Sequence, residues 1–260
     1  MKIGAQLYTV YPFTQTLEGL SESLKKVADI GYTTVQVSGT CAYEPEWLKD
    51  ELDKNGLSCV ITHVDVKALT ENVADTIARH NVFGCDYIGL SGYGFLSYPE
   101  KTAKGMYEEL GAGIRALRDA GKLFMYHNHH YEFGKIDGKI VIDELCELFA
   151  PDEIGFTFDT YWAQISGCDP AAWLRKLKGR VPCIHLKDCA VGVKEVDDKR
   201  VVASRYAVLG EGNMNFAEIF KAAEEAGTKY MLVEQDDCYG EDPFACLKRS
   251  YDYLRSHGFN

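Results

Sequence analysis

Four junctions of one kind recur along the chain: "VADIGYTTVQV", "ELDKNGLSCVI", "LRDAGKLFMYH" and "AEEAGTKYMLV". In each, the tail of an amphipathic helix meets a glycine and then a short β-rich run. Glycine just past a helix supplies the left-handed terminating conformation without a Cβ penalty. Ahead of the first junction, Leu17, Leu20, Leu24, Val27 and Ile30 recur at three- or four-residue spacing, which builds one buried helix face. Two further helices open on Asp-Pro, at "CDPAAWLRKL" and "EDPFACLKRSYDYL", where Asp caps and Pro fits the first turn.

The strand-like runs are "KIGAQLYT", "TTVQVS", "LSCVITHV", "CDYIGLS", "KLFMYHN", "EIGFTFD", "VPCIHLKD" and "KYMLVEQD", with helical patterns between them and after the last. Eight strand–helix units in 260 residues are what a closed (β/α)8 TIM barrel requires; a doubly wound sheet is the alternative. No Pro- or Ser-rich linker divides the chain, so a single domain over 1–260 is expected. The longest irregular stretch, "DCAVGVKEVDDKRVVASRYAVLGEG", follows the seventh strand, where a barrel enzyme places an active-site loop.

Composition narrows the partners. Twenty-eight basic against 39 acidic residues give a net charge of −11, which opposes nucleic-acid binding because that relies on basic residues displacing phosphate counterions. No apolar run approaches the roughly twenty residues of a membrane helix, and "MKIGAQLYTVYPF" lacks the apolar core of a signal peptide. The nine cysteines contain no C-x-x-C pair, so neither a disulfide framework nor a zinc ribbon is indicated. The expectation is a reduced, cytoplasmic protein acting on a small molecule, with no nucleic-acid or membrane partner. A homodimer is a working expectation without a distinct interface signal.

Side chains alternate in and out along a strand, and barrel enzymes build sites at the C-terminal strand ends. On that parity His63 goes inward with Ile61 and Cys59, and His127 and His129 with Met125. Asp159 takes the face opposite Phe156 and Phe158; His185 and Lys187 go with Cys183, and Glu234 with Leu232. Gln6, Tyr8 and Gln36 add neutral polar groups from the first two strands. Burying so many polar groups costs a few kcal/mol each unless all find partners, so their convergence on one rim points to a site. Asp, His, Glu and a second His suit a divalent ion of the Mn, Co or Zn kind. Such an ion would assist removal of a proton beside a sugar carbonyl.

"IGAQLYT", "YHNHHYEF", "GFTFDTYWAQISGCDP", "HLKD", "LGEGNMNF" and "YMLVEQD" resemble the sugar phosphate isomerase/epimerase family, with its xylose isomerase-like barrel, nearly end to end. The resemblance implies a divalent metal held at the ends of strands five to eight. Asp159, His185 and Glu234 match the ligands of strands six, seven and eight. The chain departs at strand five, where His127 stands in place of a glutamate, and at strand two, where Gln36 does. The two-glutamate proton exchange of such epimerases is therefore altered here.

The resulting expectations assign His127, Asp159, His185 and Glu234 to the metal, and His129, Lys187, His63 and Glu234 to catalysis. Gln6, Tyr8, Gln36, Trp162 and Glu132 are assigned to substrate, with Glu132 also read as a backbone anchor for its loop. Tyr93, Phe95 and Phe133 are expected as pocket walls beside Tyr8. "LGEGNMNF" is read as a tight turn or an anion-holding nest, and Lys187 as an oxyanion stabiliser or a partner of Asp188 or Glu234. The leading reading is a metal-dependent sugar isomerase or epimerase working through an enediolate. The alternatives are a keto-sugar or inosose dehydratase (a lyase), and a non-catalytic sugar-binding barrel. An abasic-site endonuclease is disfavoured by the charge.

Overall fold

The computed structural model describes residues 1–260 and contains eight parallel strands closed into one barrel. The strands are Lys2–Gln6, Thr34–Val37, Ser58–Val64, Tyr87–Leu90, Leu123–His127, Ile154–Asp159, Cys183–Leu186 and Tyr230–Val233. Each pairs with its successor, and the eighth closes on the first with Ala5 beside Val233. The chain is thus a (β/α)8 TIM barrel. The four junction glycines all have positive φ, from 65° at Gly56 to 120° at Gly31, and Asp169 and Asp242 cap their helices through Ala171 N and Phe244 N.

Two apolar layers hold the barrel. A large cluster, including Leu20, Leu24, Phe124, Phe156, Phe158 and Ile184, fills the space between strands and helices. Each such side chain contributes roughly 1.5–3 kcal/mol by leaving water. Inside the barrel only Val60, Ile61, Met125, Cys183 and Leu232 pack together. They form a floor, above which the strand ends turn polar.

The structure differs from the sequence reading in several places. The first strand stops at Gln6 rather than running to Thr9, because the Gln6 side chain accepts from Tyr8 N and starts a 3-10 helix, Leu7–Phe13. Cys59 faces the outer layer, not the interior with Ile61: the register slips one residue there, with Val35 opposite Cys59 but Gln36 opposite Ile61. A one-residue bulge reverses parity on one side of it. The stretch after the seventh strand is not irregular but a β-hairpin, Asp188–Val196 against Lys199–Ala207. Its turn residues Asp197 and Asp198 both have positive φ, as a type I′ connection requires.

Neighbouring strand ends are tied by polar clamps. Asn128 accepts from Asp159 N across strands five and six. The Thr160 hydroxyl accepts from Lys187 N, between six and seven. Thr9 accepts from Gln235 N, joining one and eight.

Candidate metal centre and active site

A cavity of about 470 Å³ opens at the C-terminal mouth, directly above the inner floor. Gln6, Tyr8, His63, His127, His129, Trp162, Lys187 and Glu234 line it, together with Asp236, Ser38, Gly39 and Ser91. Asp159 and His185 lie deeper and are wholly buried.

Asp159 and His185 are register partners on adjacent strands, so their side chains rise side by side. His127, Asp159, His185 and Glu234 each offer one ligand atom, and these atoms all lie within 4.8 Å of one another. Two ligand atoms each about 2.1 Å from a common ion stand roughly 3–4 Å apart, so the cluster fits a divalent metal. Buried Glu234 Oε2 and His185 Nδ1 make no directional hydrogen bond, although they approach to 2.8 Å. Apart from the Lys187 ammonium 3.0 Å from Glu234 Oε2, these converging atoms face only one another, an arrangement that an ion would satisfy.

The surroundings aim each ligand. His127 Nδ1 donates to Ser91 O at 3.2 Å, leaving Nε2 as the lone pair 3.3 Å from Asp159 Oδ2. His185 Nε2 donates to Gln36 Oε1 at 2.7 Å, which directs Nδ1 into the cluster. The same Gln36 amide donates to Ser38 Oγ and His63 Nε2. Asp159 divides its work: Oδ1 accepts from Trp162 N as a helix cap, and Oδ2 faces the histidines and Lys187. Fixing ligand tautomers through such contacts commonly carries 10–100-fold in metal affinity. Gln36→Met should therefore weaken metal binding by about that factor; unchanged metal affinity in a titration would show that Gln36 does not position His185.

Lys187 Nζ stands 3.2 Å from Asp159 Oδ2, 3.0 Å from Glu234 Oε2 and 2.9 Å from Asp236 Oδ1. Burial disfavours its charge, but the three carboxylates override that and raise its pKa well above the ordinary value. Burial likewise pushes Asp159 up, yet Lys187 and the two histidines hold its carboxyl well below the usual range. Burial opposes charge on His185, but Glu234 and Asp159 lift it to about 9. A cation entering there takes the place of the Nδ1 proton. Burial and then His127 lower His129 to about 3, and burial with His127 and His185 lowers His63. Both are neutral at pH 7.

Not every expected residue reaches the cavity. Gln36 is buried behind His63 and His185 and acts as their brace rather than as a lining group. Glu132 is wholly buried and accepts from the Tyr126 hydroxyl and from His129 N at 2.7 Å; it anchors the loop that presents His129. Tyr93, Phe95 and Phe133 belong to the outer core and form no part of the cavity wall. The "LGEGNMNF" nest does hold an anion, but an internal one: Asp188 accepts from Gly210 N and Gly212 N at 2.9 Å. Asp188 is thereby engaged elsewhere; of the two expected partners Lys187 keeps Glu234, and it gains Asp159 and Asp236. Sequence reasoning missed Asp236, though it shares parity with Glu234 in "MLVEQD". Burial and the Glu234 charge push it up to about 6.

Burial also lifts Glu132 to about 7, against the pull of its two donors. A carboxyl whose folded pKa exceeds its unfolded value stabilises the fold below the unfolded pKa and loses that contribution as pH rises through the folded one. Glu132 should thus lose about 3 kcal/mol of stabilisation between pH 4.5 and 7. Denaturant unfolding of wild type and Glu132→Gln across that window should show a gap that changes with pH; a constant gap would contradict the shifted pKa.

A (β/α)8 barrel with a buried His, Asp, His and Glu cluster at its catalytic mouth defines an enzyme class, and the comparisons place the chain within it. The chain belongs to the xylose isomerase-like TIM barrel family, whose model matches residues 24–257. It is 25% identical to the inosose dehydratase of Geobacillus kaustophilus (strain HTA426) over 262 residues, which cover 89% of this chain and 85% of that protein. It is 26% identical to the inosose dehydratase of Serratia proteamaculans (strain 568) over 266 residues, covering 90% and 88%. A sugar phosphate isomerase/epimerase structure from Parabacteroides distasonis superposes with a TM-score of 0.81 at 23% identity, covering 98% of this chain and 93% of that one. A D-allulose 3-epimerase from Methylomonas sp. gives 0.71 at 13% identity, covering 98% and 97%. At those identities the solved structures speak to fold alone. No helix is long and apolar enough to cross a membrane.

Proposed function

We propose that this chain is a metal-dependent dehydratase, removing water from a polyhydroxylated cyclic ketone of the inosose kind. This is the lyase alternative of the sequence reading, and it is better supported than the leading isomerase reading. Relatives spanning nearly the whole chain are named inosose dehydratase.

The observation that carries the reading is the inequivalence of the groups around the cavity. Proton exchange between two faces of a substrate calls for two similar bases. Here the cavity presents a neutral His129 and a protonated Lys187. Elimination needs such a pair: a base takes the proton beside the carbonyl, the C=C bond forms, and the C–O bond breaks as an acid protonates the departing hydroxyl. In the tautomer whose Nδ1–H donates to Tyr131 Oη, 3.1 Å away, Nε2 is free to receive the proton. Lys187 is placed to donate to the hydroxyl and to counter negative charge. Asp236, 2.9 Å from Lys187 Nζ, would keep the ammonium paired if Asp159 and Glu234 held an ion. A divalent ion, when bound by His127, Asp159, His185 and Glu234, would supply Lewis-acid stabilisation at the substrate carbonyl; Mn, Co and Zn all suit a mixed N/O set. Trp162 and Tyr8, on the cavity wall, provide apolar faces for the ring.

The test is incubation of metal-loaded protein with an inosose, followed by mass spectrometry. Loss of one water per product molecule is expected. A product of unchanged mass carrying solvent hydrogen would overturn the dehydratase reading in favour of isomerisation or epimerisation. Binding without turnover would instead support a sugar-binding barrel.

A further inference from the structure

The exposed large apolar residues of this protein are unevenly placed. Tyr8, Tyr11 and Phe13 follow strand one, with Leu17 opening the next helix; Leu96 and Tyr98 follow strand four; Tyr239 follows strand eight. Val191, Val193, Val196, Val201 and Val202 lie on the hairpin after strand seven. All of them lie on segments that follow the C-terminal ends of strands. None lies on the segments that lead into the strands at the opposite end of the barrel, and only Leu17 lies on an α-helix.

The hairpin is the extreme case. Val193 sits opposite Val202 and Val191 opposite Ser204, forming one apolar face with Val191 and Val202 each 71% exposed. Gly192 pairs with Ala203 and Lys194 with Val201 on the other face. Only its base is backed by the barrel, where Tyr206 packs on Tyr161 at 4.4 Å. A two-stranded ribbon without backing is marginal in water, and its edges are templates for pairing. Its nine-residue strands extend about 30 Å.

We propose that this face is where two copies of the chain meet, each hairpin packing its valine face on its partner. Charge selects this occupant. The chain carries −11 overall, yet residues 188–207 hold four acidic and four basic residues, Asp188, Glu195, Asp197 and Asp198 against Lys194, Lys199, Arg200 and Arg205. A neutral arm avoids the repulsion between two acidic bodies, and Glu195 opposite Arg200 offers both signs to a twofold-related copy. A two-stranded arm of this length covers roughly 300 Å² per face, so reaching the ~800 Å² per partner of a stable interface requires the exposed Tyr11 and Phe13 of the rim to be covered as well.

Sedimentation of the full chain at micromolar concentration tests this. The wild type should run at twice the 29.1 kDa chain mass, and Val193→Glu/Val202→Lys, which keeps a favourable cross-strand pair, should run as a monomer with an unchanged circular dichroism spectrum. Should that variant misfold, Val193→Thr/Val202→Thr retains strand propensity and should raise the dimer dissociation constant at least tenfold. A monomeric wild type, or a dimer unaffected by these folded variants, would overturn the proposal and leave the valine face to a different partner.

Discussion

Asp159→Asn is expected to lose bound metal and turnover together. The substitution is nearly isosteric, and Asn is as good a helix cap as Asp, so the contact from Asp159 Oδ1 to Trp162 N survives. What disappears is the negative charge at Oδ2, which faces His127, His185 and Lys187 at 3.2–3.7 Å. A contact that merely orients a ligand carries 10–100-fold in affinity; losing an anionic ligand should exceed about a hundredfold. Elemental analysis beside a turnover assay checks this. A variant that keeps a full equivalent of metal and its activity would remove Asp159 from the centre.

His129→Ala should separate what Asp159→Asn joins. His129 lines the cavity, but it is not one of the four clustered ligands. Its ring stacks on Tyr131 with centroids 5.2 Å apart and lies 5.2 Å from Trp162, so truncation removes a packed group without unpairing a charge. Metal content should stay at the wild-type level while kcat falls by roughly 10²–10⁴, the range for a positioned acid or base. Equal loss of metal and turnover would show that His129 supports the cluster instead. A turnover unchanged within a few-fold would shift the proton transfer to another group, with His63 and Asp236 the remaining cavity candidates.

The barrel was legible because its signals are local. Helix–glycine–strand junctions and Asp-Pro starts depend on backbone conformation at a few residues, and each specifies one unit of the repeat. Strand parity likewise brought His127, Asp159, His185 and Glu234 toward one mouth, since alternation survives wherever a strand is regular. It failed at Cys59, where a bulge reverses the face and the sequence gives no warning.

Other misreadings came from groups whose partners are distant. Gln36 looks like a substrate contact from strand position alone; its role as a brace depends on His185, 149 residues away, whereas the anchor reading of Glu132 holds in its bond from His129 N. Asp188 reads as a partner for its neighbour Lys187 until the glycine turn beginning at Gly210 closes over it. The hairpin was hard to read: "VGVKEVDDKRVVAS" alternates only before its turn, runs K-R-V-V-A-S after it, and turns on Asp-Asp rather than the usual Asn-Gly or Asp-Gly. Length and charge made it look like a loop.

The proposed chemistry depends on four strand-end residues of this barrel holding one catalytic divalent ion. Anomalous diffraction from crystals of the protein soaked in Mn or Co tests it most directly. One strong peak is expected within bonding distance of His127 Nε2, His185 Nδ1 and the carboxylates of Asp159 and Glu234. Peaks confined to surface carboxylates, with Lys187 still seated between Asp159 and Glu234, would contradict it.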